Sequence, residues 1–217
     1  MNNNKTVRVW DLGVRIFHWS LVVLFVVAYF TADEENIMHI YSGYAVLALI
    51  VFRVVWGFVG SRYARFSDFV YSPRTVIQYL RGIVAGNPEH YLGHNPLGGW
   101  MTVALLAALV VVTVTGLKIY ALEEGRGPLA GSHQTLMIDN VYADEDENEN
   151  EGYEGRNQGH DNGKDAEEEM WEALHEISTD ITLFLIFLHI LGVVVSSRLH
   201  GENLVKAMVT GYKEGKI

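Results

Sequence analysis

The sequence predicts an all-α integral membrane protein, a bundle of four transmembrane helices with short interfacial helices beside it. Of the 217 residues, 49% are hydrophobic, and they are gathered into long blocks instead of being spread along the chain. Several blocks approach the roughly 20 apolar residues that cross a bilayer. The acids are concentrated in one segment, so the net charge of −10 describes that segment more than the whole surface. A chain of this charge is not expected to have a nucleic acid as partner.

The whole chain, 1–217, reads as a single transmembrane domain. Its first block, 12–32, contains VRIFHWSLVVLFVVAYFTA. The preceding MNNNKTVRVWDLGVR is polar and no small-x-small cleavage site follows Phe30, so the block is expected to be a retained helix. An acidic link, Asp33 to Asn36, leads to the second block, 37–57, which carries His39 and Arg53. The third, 97–121, has Lys118 as its only formal charge. The fourth, 172–198, is most apolar between Ile181 and Val195; a helix that starts in water leaves Glu172, Glu176 and Asp180 solvated.

Between the second and third blocks, SDFVYSPRTVIQYLRG has a capping Ser72, a Pro73 suited to a first helical turn, and Val76, Ile77 and Leu80 on one side. It reads as a short helix lying on the membrane surface. The tail ENLVKAMVTGYKEGK has a similar amphipathic character. Residues 122–168 form a strongly acidic loop almost without apolar residues, expected to be poorly ordered.

Four spans put both termini and the 58–96 link on one side, and most lysines and arginines lie there. By the positive-inside rule that side is cytoplasmic, and the acidic loop is periplasmic. The expected location is the bacterial inner membrane.

The histidines then acquire depths. His175 and His189 stand fourteen residues apart on the fourth helix. At 1.5 Å and 100° per residue, that is a climb of roughly 21 Å with a return to within about 40° of one face. His18 lies at the inner depth with His189, and His39 at the outer depth with His175. Two bis-histidine pairs suit two b-type haems, with His18 and His189 ligating the inner iron and His39 and His175 the outer. The chain has no cysteine, which excludes disulfides, thiolate metal sites and covalently attached haem.

Small residues near the ligands, Gly43 and Gly192, fit a flat ring approaching the backbone. Arg53, fourteen residues after His39, points from the same face at the inner depth, where a haem propionate is a natural counter-ion. Lys118 is the corresponding candidate for the outer haem. His94 and His200 fall at the cytoplasmic boundary and are candidates for a quinone site, because histidine titrates near neutral pH. His90, His133 and His160 are expected to be solvated.

The stretches RIFHW (15–19), HIYSGYAVLALIVFRVVWGFVGSRYARFSDF (39–69), GHNPLGGWM (93–101), LHE (174–176), HILGV (189–193) and SSRLHGENLVKAM (196–208) resemble the bacterial cytochrome b561 family. More narrowly, they resemble its branch related to the b-type cytochrome subunit of nickel-iron hydrogenases. The resemblance covers almost the whole chain except about 122–168. It implies four transmembrane helices, two haems b, and axial ligands from the first, second and fourth helices, falling on His18, His39, His175 and His189. It also implies electron transfer between the membrane quinone pool and a periplasmic carrier, either a c-type cytochrome or a hydrogenase that the chain anchors. The periplasmic acidic loop would steer a basic partner.

A different class of function is also open at this point: a histidine-based metal or proton transporter, with the chain as a relay. The histidines form two distant pairs without intramembrane carboxylates between them, which favours haem. A second copy of the chain is a further candidate partner.

Overall fold

A computed structural model describes residues 5–32, 37–130 and 153–215, with side chains described for all but 5, 153–164 and 214–215. Four helices among the described residues are long and apolar enough to cross a membrane: α1 (Leu12–Phe30), α2 (Ile37–Val59), α5 (Pro96–Glu123) and the stretch Asp165–His200 of α6 (Tyr153–His200). Between α2 and α5 come a 3-10 turn (Arg62–Ala64), α3 (Phe66–Phe69) and α4 (Pro73–Val84). After α6 the short α7 (Leu204–Thr210) leads into a strand, β2 (Tyr212–Gly215), which pairs antiparallel with β1 (Lys5–Arg8). That pairing brings residues 5–8 and 212–215 together, which is compatible with an even number of crossings.

Local chemistry sets several boundaries. The Asp11 carboxylate accepts the Val14 amide at 2.9 Å and so caps α1. The same carboxylate accepts the Trp56 indole N–H at 3.1 Å and the Ser61 hydroxyl, which ties the start of α1 to the end of α2. Ser72 caps α4 through the Thr75 amide, with Pro73 at its first turn. Asn203 caps α7 through the Lys206 amide. Gly211 ends α7 at φ 89°, a left-handed conformation in which a Cβ would lie 2.7 Å from the Trp10 carbonyl oxygen.

Two differences from the sequence reading stand out. The fourth helix starts at Tyr153, well inside the segment 122–168 expected to be loop, and reaches 48 residues. The remainder of that expectation, residues 131–152, lies outside the described residues, as does the link 33–36. The second difference is the β1·β2 ribbon, built from KTVR and YKEG, which are too short and polar to register as strands by pattern.

The chain divides into two compact units, Met1–Val110 with Ile181–Ile217, and Val111–Asp180. In the first, Val9, Trp10, Val14, Ala64 and Ala207 form a small core where the chain ends meet, with Trp56, Tyr63 and Met208 against it. A second cluster, Val46, Ile50 and Leu109, packs with Leu21, Leu24 and Phe25. Many other large apolar side chains face outward, among them Val23, Phe30, Phe58, Phe184 and Phe187, all at least 60% exposed. Such surface is a liability in water and an asset in hydrocarbon. The protein is a multi-pass membrane protein.

Candidate functional site

The first compact unit brings His18 on α1 and His189 on α6 face to face. Their ring centroids are 6.5 Å apart and the planes are inclined at 53°. Two imidazoles bound on opposite sides of one metal ion, through bonds of about 2 Å, would place their ring centres about 6.3 Å apart. His18 Nδ1 is buried with no hydrogen-bond partner among the described residues, an expense that is ordinarily met only where a ligand completes the site. A Cβ added at Gly192, three residues from His189, would meet nothing within 4 Å, and the same is true of Gly43, one turn from His39.

Arg53 is 2% exposed, deep within the same unit. One guanidinium nitrogen donates to the Ala64 carbonyl at 3.1 Å, and the group lies over the rings of Phe66 and Phe69. Among the described residues it makes no ion pair. The Asp11 carboxylate acts on it through space without forming an ion pair, so the buried cation can still accommodate a further anion.

His94 lies between Trp10 and Phe69, with ring centroids 4.7 and 4.5 Å away. Burial, together with the positive charges of Arg53 and Lys213, pushes its imidazole down to about 3. At physiological pH it is neutral and offers a hydrogen bond, not a charge. His200 directs Nδ1 at the Ser196 carbonyl, 3.1 Å away, and Nε2 at the Glu89 carbonyl.

His90 is exposed, as expected, and it also has a partner: its Nε2 bonds the Glu202 carboxylate and its ring lies 5.5 Å from that of His200. Glu202 also pairs with Lys213 at 3.5 Å, and both side chains are under a tenth exposed. Burial pushes the Lys213 ammonium down and Glu202 opposes that shift. His133 and His160 lie outside the residues with described side chains.

The two outer histidines belong to different compact units. His39, on α2, donates Nδ1–H to the Ala28 carbonyl at 2.9 Å. In the second unit, His175 meets Thr115 Oγ1 with Nδ1 at 2.9 Å. The Thr115 hydroxyl hydrogen is directed at the carbonyls of Val111 and Val112, so its oxygen accepts from His175. Both contacts assign the proton to Nδ1 and the lone pair to Nε2, the arrangement of a metal-ligating imidazole with its other nitrogen anchored. A Cβ on Gly116 would lie 3.1 Å from His175 Cε1, so the missing side chain is what admits the ring there. Lys118, in the same unit, pairs with Glu167 at 3.5 Å and lies over the Trp171 ring.

Thr115, Gly116 and the Glu202 pair were not singled out from sequence. A threonine among valines and a glycine in an apolar helix are common packing residues, so only their position against His175 reveals them.

The His18–His189 approach and the anchored tautomers of His39 and His175 suit metal ligation, and comparison with known families says of what kind. The family model for prokaryotic cytochrome b561 matches residues 9–211. This chain belongs to the prokaryotic cytochrome b561 family. As a b561 protein it is a b-type cytochrome, and haem b is its cofactor. It is 31% identical to a probable Ni/Fe-hydrogenase B-type cytochrome subunit of Azotobacter vinelandii over 157 residues, 58% of this chain and 64% of that one. It is equally similar to the counterpart in Azotobacter chroococcum, of which the match covers 66%. The matched region thus spans just under two thirds of those relatives. A protein of the same name from Cupriavidus necator is 22% identical over 98% of this b561 chain and 88% of its own length. No solved structure gives a significant match.

Proposed function

We propose that the chain is a transmembrane electron carrier with two haems b, the inner held by His18 and His189 and the outer by His39 and His175. The observation that carries this reading is the 6.5 Å approach of the His18 and His189 rings. The Nδ1 anchors of His39 and His175 support the second site. When bound, haem b supplies a one-electron iron couple.

The residues of the chain orient the ligands and balance charge. Ala28 and Thr115 hold the outer imidazoles in one tautomer. Arg53, a buried cation acted on through space by Asp11 but in no ion pair among the described residues, would be the residue to receive a propionate of the inner haem. Lys118 could serve the outer haem only in competition with Glu167. His94, held neutral, and His200 are the candidates for bonding a quinone headgroup at the inner end.

In this reading the protein lies in the bacterial inner membrane with both termini cytoplasmic, and electrons pass between membrane quinone and a periplasmic redox protein. The names of the relatives favour a nickel-iron hydrogenase over a c-type cytochrome as that partner. The chain would then both anchor the hydrogenase and conduct its electrons. The acidic segment ahead of α6 would meet the basic surface of such a partner.

The purified protein tests the proposal through its reduced-minus-oxidised spectrum and haem content. A b-type spectrum with two haems per chain is expected. One haem or fewer would overturn the dihaem assignment.

A further inference from the structure

Helix α4 joins two spans without crossing the membrane, and its surface falls into three sectors. At 100° per residue, Ile77, Leu80 and Val84 share a stripe about 60° wide with Pro73. This apolar stripe is exposed: Ile77 by 50%, Leu80 by 42% and Val84 by 89%. Beside it, about 100° round the helix, runs a second exposed stripe of Arg74, Gln78 and Arg81. The third sector, centred on Tyr79, is turned to the protein; Tyr79 is 5% exposed.

The depth of α4 follows from its contacts. Tyr79 hydrogen-bonds Ser196, four residues from the end of the α6 span. Just before α4, the Tyr71 carbonyl accepts the Trp100 indole N–H at 2.9 Å, and Trp100 is one turn into α5. Tyr71 also donates to the His94 carbonyl, next to the start of α5. The helix is therefore held at the level where α5 enters and α6 leaves the hydrocarbon. The ends of the α5 and α6 spans mark the headgroup level of a bilayer, so arginines on a helix held there would be within reach of phosphates.

We propose that α4 is an anionic-lipid binding surface: the stripe of Ile77, Leu80 and Val84 immersed among acyl chains, with Arg74 and Arg81 on phosphate headgroups. Seven residues separate the two arginines, two turns or roughly 10 Å, which suits adjacent headgroups along one side of the helix. A helix that merely packed on protein would have no use for an exposed apolar stripe. A purely solvated one would not carry Val84 almost fully exposed.

The absence of cysteine makes the test clean. Full-length, haem-loaded protein carrying Leu80→Cys or Gln78→Cys is spin-labelled and reconstituted in bilayers of phosphatidylcholine alone or with phosphatidylglycerol. At position 80 the label should collide freely with oxygen and be shielded from a water-soluble nickel chelate, with the reverse at 78. Mass spectrometry of intact protein–lipid complexes should show phosphatidylglycerol retained over phosphatidylcholine. Arg74→Gln and Arg81→Gln should each reduce that preference about fivefold. Equal, water-like accessibility at both positions would overturn the immersion. Shielding of position 80 from both reagents would assign the stripe to a partner protein or second copy instead. Retention indifferent to headgroup or to the arginines would overturn the anionic specificity.

Discussion

Thr115 Oγ1 accepts the Nδ1–H of His175 at 2.9 Å and thereby decides which nitrogen of that imidazole presents a lone pair. Thr115→Val keeps the shape and removes the acceptor. Loss of such an anchor typically costs 10–100-fold in metal affinity, so haem at the His175 site should dissociate about that much more readily. Haem titration of the reconstituted protein measures this, and Thr115→Ser should restore wild-type retention. Unchanged retention in the valine variant would exclude the anchoring role.

The ligand assignment predicts a pattern across four variants. His18→Ala and His189→Ala should remove the same spectral component, and His39→Ala and His175→Ala the other. Low-temperature difference spectra resolve the two. Loss of one shared component in His189→Ala and His175→Ala would contradict the pairing.

Gly116 lies tight against His175, whose Cε1 would lie 3.1 Å from an added Cβ. Gly116→Ala should be tolerated with a small displacement of the ring and a modest shift in midpoint potential. Gly116→Leu should abolish haem binding at the His175 site, read as one haem fewer per chain, while the His18 and His189 component persists.

His94 links stability to pH. Its imidazole titrates at about 3 in the folded chain, against 6.5 when unperturbed. Between those values the unfolded state binds the extra proton, so stability is full above about 6.5 and falls as the pH drops toward 3. The slope from one such group is at most about 1.4 kcal/mol per pH unit. Thermal unfolding of the haem-loaded protein at pH 7 and pH 5 should show the loss, and His94→Gln should flatten it.

Asp11 joins three elements through one carboxylate. Burial alone would raise it, but the Ser61 hydroxyl, the Val14 amide and the Trp56 indole outweigh that and hold it below its ordinary 3.8. Asp11→Ala removes the cap of α1 and leaves the Trp56 N–H without its acceptor, a loss of about 1–3 kcal/mol. A lower unfolding midpoint with unchanged spectra of the remaining folded protein is expected; no change would mean that water replaces the carboxylate at no cost.

The spans were legible because hydrocarbon makes a demand that can be counted along a chain, and α1, α2 and α5 begin and end within a few residues of the expected limits. The start of α6 was not, because a helix outside the bilayer obeys no such length rule, and its acidic residues read equally well as loop. His90 and Glu202 are 112 residues apart, and nothing local to either announces a bond between them. Periodicity gave Arg53 a face and a height along α2, but its carbonyl and its two phenylalanine faces come from the link that follows α2.

By itself, then, the sequence determined that this is a four-span membrane protein with histidines at two depths, since helix pitch and bilayer thickness convert residue spacing directly into height. It could not decide what each histidine touches. That took the tertiary structure, which turned His18 toward His189, set Thr115 and Gly116 against His175, and buried Arg53 against the Ala64 carbonyl and the rings of Phe66 and Phe69. Height along a helix is a one-dimensional quantity that a chain carries in its spacing; the partner of a side chain depends on how separate helices are rotated and packed against one another.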